Sequence, residues 1–327
     1  KNQWTRSNGT LSYIVPKSLL YSERWFSLVE SMIWNVSVLV DVEKAFEKVK
    51  LEQVVFVFNK VIKTDSYLAR KFLDDNFQYS TCIKNETALK LKAWICGVKE
   101  DEISLVEGLE IKLTQLNQIS LTRRGIGVQK HLSDKGEFKV LGGKNIFRYG
   151  VSGNKGFITK EVMERNSKKL GFLKQKKIIS QDLIAHIQNP FPHIKIMSFL
   201  DIKGEYIGLD TIQNTVINDL GYDYKYVLSL LNSKFVSWYT YKFIYCSAIR
   251  TMHFDNYYIG KIIIPAIDIT QQEPFIQLVD QILSITKDDD YLDNPDKKAK
   301  VKRLEKEIGQ LVYKLYDLTP EEIKIVE

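Results

Sequence analysis

A dense group of cationic side chains lies in the middle of this 327-residue chain. Residues 121–177 hold 15 lysines and arginines against 4 aspartates and glutamates, a net charge of +11, whereas the whole chain carries +7. A local excess of this size attracts a polyanion, and nucleic acid is the commonest one. The alternative is a lysine-rich surface that serves only solubility. Concentration of the charge in one segment favours nucleic acid.

Glycine accompanies this charge, because 11 of the 17 glycines lie between Gly97 and Gly171. A glycine lets its backbone N–H approach a phosphate oxygen, and a neighbouring arginine adds a planar fork suited to phosphate or guanine. Arg250 and His253 are further candidates for reading bases, although His253 has a hydrogen-bonded strand residue as its alternative. The predicted DNA-contacting residues are Arg123, Arg124, Gly125, Gly127, Lys130, Lys144, Arg148, Lys155, Lys176, Lys177, Arg250 and His253.

The sequence lacks the motifs of dinucleotide, nucleoside triphosphate and metal sites. The segment from Gly125 to Gly127 lacks the third glycine of a dinucleotide site, and the segment from Gly142 to Asn145 lacks the spacing of a triphosphate loop. The four histidines and three cysteines show no metal-ligand spacing, so we predict no metal. The odd number of cysteines fits a reducing cytoplasm, and no apolar stretch approaches the roughly 20 residues that span a bilayer.

The first sixty residues must form part of a sheet. Residues 11–15 are β-branched and aromatic and end at Pro16, and a helical repeat of apolar residues follows Ser22. Two more apolar runs, at residues 37–42 and 53–58, indicate strands. Strand, helix, strand and strand is the ending of a doubly wound sheet. Three strands and one helix leave an edge uncovered, so we expect this segment to be a fragment of a longer protein.

These residues carry a resemblance to a known family. The run Gly9-Thr-Leu-Ser-Tyr-Ile-Val-Pro16, the helix after it and Asp41-Val-Glu-Lys-Ala-Phe46 resemble the second half of an adenine-N6 DNA methyltransferase domain. In that family a phenylalanine in this turn stacks on the extruded adenine, and Phe46 matches it. The alternative for Phe46 is one more hydrophobic residue at the end of a strand.

The resemblance implies a parent enzyme that transfers a methyl group from S-adenosylmethionine to adenine N6 in duplex DNA. The family's cofactor loop and its Asn-Pro-Pro-Tyr catalytic loop do not occur in this sequence. We therefore assign no catalytic residue and no bound cofactor to this chain alone, and we expect its partner to be the missing N-terminal part of the methyltransferase domain. The segment Asn189-Pro-Phe-Pro192 is interpreted as a turn.

The middle of the chain resembles the target-recognition domain that follows the catalytic domain in such enzymes, of the TaqI-like kind. Six stretches carry this resemblance in the expected order, namely residues 123–130, 140–149, 176–181, 228–234, 248–254 and 262–265. Similar domains occur in type I specificity subunits. The resemblance implies that this segment contacts and selects duplex DNA.

The end of the chain shows helical periodicity. Tyr224–Tyr245 is predicted to be one amphipathic helix, and helices are also predicted over residues 272–286 and along an apolar stripe from Val301 to Leu315. Thr319-Pro-Glu-Glu322 is a capping box that begins a last helix, and this terminus resembles that of type IIG restriction–modification polypeptides. These helices are expected to brace the recognition domain, with a coiled-coil partner as the alternative.

The predicted fold is therefore an α/β fragment of a doubly wound methyltransferase sheet (residues 1–63), an α+β target-recognition domain (residues 64–267) and a helical tail (residues 268–327). The predicted function is sequence-specific DNA recognition within a cytoplasmic restriction–modification enzyme that methylates adenine. A non-enzymatic specificity subunit is the main alternative, and the sheet segment argues against it. A protein-binding scaffold is a third possibility that leaves the cationic segment unexplained.

Overall fold

The computed structural model describes residues 9–46, 48–109, 111–166, 168–250 and 252–327. The chain divides into two compact units. The first unit comprises residues 1–110 and 239–250, and the second comprises residues 111–238 and 251–327. Within the described ranges, no helix has both the length and the apolarity that crossing a membrane requires.

The first unit begins with the predicted strands and helix. These are β1 (Thr10–Pro16), α1 (Glu23–Met32), β2 (Val36–Asp41) and β3 (Gln53–Asn59). Strand β3 lies between β1 and β2 and is antiparallel to both, so β1 and β2 run in the same direction and are joined through α1. The mixed α/β character expected of this segment is confirmed.

Two more strands extend this sheet, which corrects the expectation of three strands. They are β4 (Ser66–Leu73) and β5 (Asn76–Lys84), and β4 pairs parallel to β2. Strand β4 thus covers the edge of β2 by pairing with it. Tyr67 and Ala69 of β4 are buried, so the strand belongs to the core of this unit. The helices α2 (Asn85–Leu91) and α3 (Glu100–Glu107) follow, and a π-helix over Thr240–Ile244 also belongs to this unit. Among the described residues, β1 remains an edge strand, with Tyr13 exposed.

The second unit is built from many short strands. They are β6 (Leu113–Gln115), β7 (Ser120–Arg124), β8 (Phe138–Leu141), β9 (Ile146–Phe147), β10 (Gly150–Val151), β11 (Gly156–Ile158), β12 (Lys177–Gln181), β13 (Leu183–Ile184), β14 (His186–Ile187), β15 (His193–Ile194), β16 (Ser198–Asp201), β17 (Tyr206–Gly208), β18 (Ile212–Ile217), β19 (Met252–His253) and β20 (Ile263–Pro265). Among the described residues of this unit, the largest sheet has four strands in the order β16-β12-β18-β7 and is antiparallel throughout. The glycine-rich middle thus forms turns and short strands, as its composition indicates.

The helices of the second unit surround these sheets. They are α4 (Leu116–Ile119), α5 (Lys160–Asn166), α6 (Leu170–Leu173), α7 (Tyr224–Leu231), α8 (Lys234–Tyr239), α9 (Asn256–Ile259), α10 (Ile269–Thr286), α11 (Pro295–Leu315) and α12 (Pro320–Val326). One core includes Val140 of β8, Met163 of α5, Leu173 of α6 and Ile207 of β17. A second core includes Ile179 of β12 and Ile212 of β18, so the central sheet is packed on its apolar side chains.

The predicted helix at residues 224–245 is in fact three segments. Helix α7 ends at Leu231, α8 runs from Lys234 to Tyr239, and a π-helix follows over Thr240–Ile244. The break occurs where the buried Asn232 side chain accepts a hydrogen bond from the Ser198 N–H (3.1 Å) and donates one to the Ser198 carbonyl (3.0 Å). Since every residue from Tyr226 to Leu231 is buried, α7 is a core helix rather than an amphipathic one.

The tail helices belong to the second unit. Helix α10 packs against α7 and α11, and the apolar stripe of α11 is buried, including Val301, Ile308 and Val312. The apolar stripe is therefore covered by residues of the same unit, and the structure does not support a coiled coil with another chain. The capping box is confirmed at α12, because the Thr319 hydroxyl accepts a hydrogen bond from the Glu322 N–H.

Candidate nucleic-acid interface

Two predicted DNA-contacting residues meet at a buried carboxylate. Arg124 ends β7, and His253 lies on β19. The Asp182 side chain, which is 2% exposed, lies 2.9 Å (Oδ2) from His253 Nδ1 and 3.7 Å from Arg124 Nη2. The Gln213 amide donates a hydrogen bond of 2.6 Å to the other oxygen, Oδ1. We call these four residues the Asp182 cluster.

The backbone fixes the Asp182 cluster from both sides. The Asp182 N–H donates to the Thr211 carbonyl (3.0 Å), and the Asp182 carbonyl accepts from the Phe254 N–H (2.6 Å). Gln213 is paired with Arg124 across β18 and β7, and with Ser180 across β18 and β12. Three strands therefore position the carboxylate, while the side chains of Arg124 and His253 reach the surface with 51% and 61% of their area exposed.

A turn at Asp210 and Thr211 connects the Asp182 cluster to other cationic segments. The Arg124 Nε donates to the Asp210 carbonyl, and the Gln129 amide donates to the Asp210 carboxylate at 2.7 Å. On the other side, the Gly143 N–H donates to the Thr211 hydroxyl at 3.0 Å. The segments that carry Arg124, Lys130 and Lys144 are thus bonded to one turn.

Several predicted cations are exposed as a DNA contact requires. Lys130, Lys144 and Lys155 are exposed, and the Lys155 chain lies beside Gly142. Arg123 is also exposed, with its guanidinium 5.0 Å from the centre of the Phe172 ring. An arginine held over an aromatic face keeps its charge available while losing part of its conformational freedom.

Three predicted cations of the second unit are buried or half-buried, and one of them must be corrected. Lys177 is fully buried and pairs with Asp201 at 2.6 Å, so it is not accessible to DNA. Burial lowers the pKa of Lys177, and the Asp201 carboxylate partly offsets this effect. Lys176 is half-buried over the Tyr224 ring, and the Arg148 Nε donates to the Ile196 carbonyl at 3.1 Å.

Contrary to what was predicted, Gly125, Gly142 and Gly143 of the cationic segment do not offer their backbone N–H groups to a phosphate. The Gly125 N–H is bonded to the Ile212 carbonyl (2.9 Å), and a Cβ atom there would lie 2.2 Å from the Gly208 carbonyl oxygen. Gly125 is therefore required by strand packing, and its amide is not available to a phosphate. The amides of Gly142 and Gly143 are bonded to side chains of the same unit. Among these four glycines, exposed Gly127 is left as the one for backbone approach.

The first unit holds the remaining two predicted residues. Phe46 is 51% exposed on the connection between β2 and β3, of which residues 42–46 and 48–52 are described and which we call the Phe46 turn. Arg250 lies with its Nε 3.9 Å from the Glu52 carboxylate. Although Arg250 and His253 are near neighbours in the sequence, the structure places them in different units.

A buried ion cluster fastens both ends of the Phe46 turn. Lys17 Nζ lies 2.7 Å from Asp41 at the end of β2 and 3.4 Å from Glu52, the residue before β3. It also donates to the Ser247 carbonyl at 3.1 Å. Burial disfavours the ammonium form, but the two carboxylates outweigh it and raise the pKa of Lys17. We call Lys17, Asp41 and Glu52 the Lys17 brace.

No sequence motif indicates the residues that do this positioning. Asp182 is one acidic residue after an apolar strand, and Lys17 follows a strand-ending proline. The available signal was an isolated charge beside a buried run, because such a charge must find a partner. For a metal, no group of three ligating side chains is brought together in the parts of the chain that the structure describes.

Residues 138–264 match the family model described as the TaqI-like C-terminal specificity domain. This segment lies within the predicted target-recognition domain, and the predicted resemblance is confirmed there. The match includes Asp182 and His253 of the Asp182 cluster, whereas Arg124 lies before it. A comparison with curated proteins gave no match.

Solved structures that match this chain include the following three, of which the first has a TM-score above 0.5. The type IIL restriction-modification enzyme MmeI, solved in complex with DNA, has a TM-score of 0.51 and 12% identity, with 96% of this chain and 48% of that chain covered. The type IIG restriction endonuclease BpuSI has a TM-score of 0.39 and 12% identity over 97% and 48% of the two chains. The type I S subunit from M. genitalium has a TM-score of 0.32 and 16% identity over 71% and 50%. The chain spans about half the length of each of these proteins.

Proposed function

We propose that this chain recognises a specific sequence in duplex DNA as part of a cytoplasmic restriction–modification system. The observation that carries the proposal is the match of residues 138–264 to a specificity-domain family. The exposed cations on the segments that are bonded to the Asp210–Thr211 turn support it, because they offer charge to phosphates beside the anchored side chains of the Asp182 cluster.

Binding across a salt series tests this function. If about five phosphates are neutralised, the logarithm of the affinity should fall with a slope of roughly −4 to −5 against the logarithm of salt concentration. Lys144→Ala should make that slope shallower by about one, since Lys144 is exposed on the proposed surface. Lys298→Ala is the matched control, because this exposed lysine lies on tail helix α11. Absence of measurable DNA binding at low salt would refute the function.

We propose further that residues 1–63, which begin the first unit, are the end of an adenine-N6 methyltransferase domain that is joined to the recognition domain. The parallel β1 and β2 with the reversed β3 between them support this proposal, as does the exposed Phe46 on a turn that the Lys17 brace fastens at both ends. An extruded adenine needs an aromatic plane to replace its lost stacking, and a braced turn presents one. The parent would take its methyl group from S-adenosylmethionine.

The exposed edge of β1 is where the rest of that domain would join. Tyr13 on β1 and Trp25 on α1 are about half exposed, so both the strand and its helix have apolar surface to cover. An open strand edge with apolar flanks favours pairing with further strands. We propose that the partner is the N-terminal part of the methyltransferase domain in the same polypeptide. Its loops would hold the cofactor, and no contact with the cofactor is assigned to this chain.

Methyl transfer by the longer polypeptide tests this second proposal. Phe46→Ala should lower the rate of adenine methylation in duplex DNA about 5- to 150-fold, since stacking of one base on an aromatic ring contributes about 1–3 kcal/mol. Phe77→Ala, which removes another exposed aromatic ring of the same unit, is the matched control. A protein that binds DNA selectively but methylates nothing would instead be the non-enzymatic specificity subunit.

A further inference from the structure

We infer that Asp182 is a positioning residue for base recognition, and that Arg124, held by it, selects guanine in the recognised sequence. This inference rests on the proposed DNA-recognition function. It concerns the Asp182 cluster, where a buried carboxylate holds two exposed side chains that both suit base edges.

The carboxylate of Asp182 cannot turn freely. Its Oδ1 accepts the Gln213 amide at 2.6 Å, and the main chain of Asp182 is bonded on both sides. Its Oδ2 therefore faces Arg124 and His253 in one orientation. A buried charge of this kind requires compensation, and part of that compensation comes from the two side chains at the surface.

Arg124 is restrained at two points. Its Nε donates to the Asp210 carbonyl, and its Nη2 lies near Asp182, although about half of the side chain is exposed. A long side chain that is already ordered loses less entropy on binding than a flexible one. With Nε bonded inside the protein, the terminal nitrogens remain as the donors, and two parallel N–H donors of arginine fit O6 and N7 of guanine.

His253 must act within the same short stretch of DNA. Its Nδ1 and the Nη2 of Arg124 both contact Oδ2 of Asp182, at 2.9 and 3.7 Å. The two nitrogens are therefore less than about 7 Å apart, which corresponds to about two steps of 3.4 Å along the duplex. We expect the base preferences due to Arg124 and His253 to fall at the same or nearby base pairs.

Selection from a randomised duplex library by the 327-residue chain, followed by sequencing, tests the inference. Arg124→Lys should reduce the preference for guanine at one position about 10- to 100-fold, because a lysine cannot make the bidentate contact. His253→Ala should weaken a preference no more than about two base pairs away. Asp182→Asn keeps an acceptor for Gln213 but removes the negative charge, so it should reduce both preferences together.

Lys144→Ala is the matched control, since it should weaken binding to all sequences alike and leave the selected sequence unchanged. Thermal unfolding of each variant shows whether the buried Asp182→Asn change is tolerated. If it is not, the exposed Arg124→Lys and His253→Ala variants decide: loss of preferences at nearby positions supports the inference. A selective wild-type chain whose profile survives all tolerated variants would overturn the inference and leave the proposed function standing. A wild-type chain with no selectivity would overturn both.

Discussion

Replacing Lys17 by methionine removes the ammonium group that bridges the two ends of the Phe46 turn. Asp41 and Glu52 then stay buried, each with 2% of its side chain exposed. Asp41 keeps the Glu43 N–H, which carries no full positive charge. Glu52 keeps the Ile249 N–H and the partly exposed Arg250, whose Nε lies 3.9 Å away, so Asp41 is the carboxylate that loses its cation. Removing one partner from a buried ion pair costs about 3–5 kcal/mol, and we expect Lys17→Met to lower the unfolding free energy of the first unit by that amount.

Tryptophan fluorescence during thermal unfolding measures this change. Four of the five tryptophans lie within residues 1–110, so the signal reports mainly on the first unit. For a unit of this size, about 4 °C per kcal/mol gives a fall of roughly 12–20 °C in the midpoint. The DNA salt slope should stay unchanged, because the cations assigned to phosphates lie in the second unit.

A triple variant separates the lost ion pair from the lost side-chain volume. In Lys17→Met combined with Asp41→Asn and Glu52→Gln, no unpaired charge remains in the Lys17 brace. We expect this variant to recover more than half of the midpoint lost in Lys17→Met. A loss below about 1 kcal/mol in Lys17→Met, as found for exposed pairs, would refute the reasoning.

Three further outcomes follow from individual side chains. Arg148→Ala should lower the unfolding free energy by about 1–3 kcal/mol, because the Ile196 carbonyl loses its donor. Burial raises the pKa of Glu305, whereas the positive charge of Arg148 lowers it. Without Arg148, the pKa of Glu305 should therefore rise further. A protein whose carboxyl group has a higher pKa in the folded state than in the unfolded state becomes less stable as the pH rises. The loss of unfolding free energy in Arg148→Ala, measured by urea unfolding, should therefore grow from about pH 5 to pH 8; a loss that does not change with pH would contradict this role. A thiol reagent should modify Cys82 in the native protein and all three cysteines after unfolding, since the other two are buried; modification of more than one thiol in the native protein would be inconsistent with the fold. Thr319→Ala should cost about 1 kcal/mol and speed hydrogen exchange in α12, and unchanged exchange would show that the cap contributes nothing.

Local patterns determined the elements of the first unit but not the extent of its sheet. The strands at residues 10–16, 36–41 and 53–59 follow from β-branched runs, which is a local property. The pairing of β4 with β2 depends on contacts across more than twenty residues, which no period in the sequence records. A boundary drawn at residue 63 thus separates strands that the structure joins in one sheet.

The charge of a segment also does not distinguish lysines on the proposed DNA-binding surface from lysines buried in the core. Lys144 and Lys177 stand in the same cationic segment, yet one is exposed and the other is completely buried. What distinguishes them is Asp201, which is brought to Lys177 by the pairing of β12 with β16. Helix α7 is a second example, because its apolar pattern continues past Leu231, whereas the helix ends there and the buried Asn232 is bonded to Ser198. Polar partners that are distant in the sequence therefore determine which lysines are buried, and the composition of a segment does not.

The same distinction bears on how affinity and selectivity divide among the cations. A phosphate contact needs charge close to the backbone, and a flexible, exposed lysine such as Lys130 or Lys144 provides it. Reading a base edge needs donors held in a fixed direction, which an unrestrained side chain provides only at an entropic cost. Within the described part of the cationic segment, Arg124 is both exposed and fixed by a buried carboxylate. We therefore expect changes at the flexible lysines to weaken binding to every sequence alike, whereas changes at Arg124 or Asp182 alter which sequences are bound.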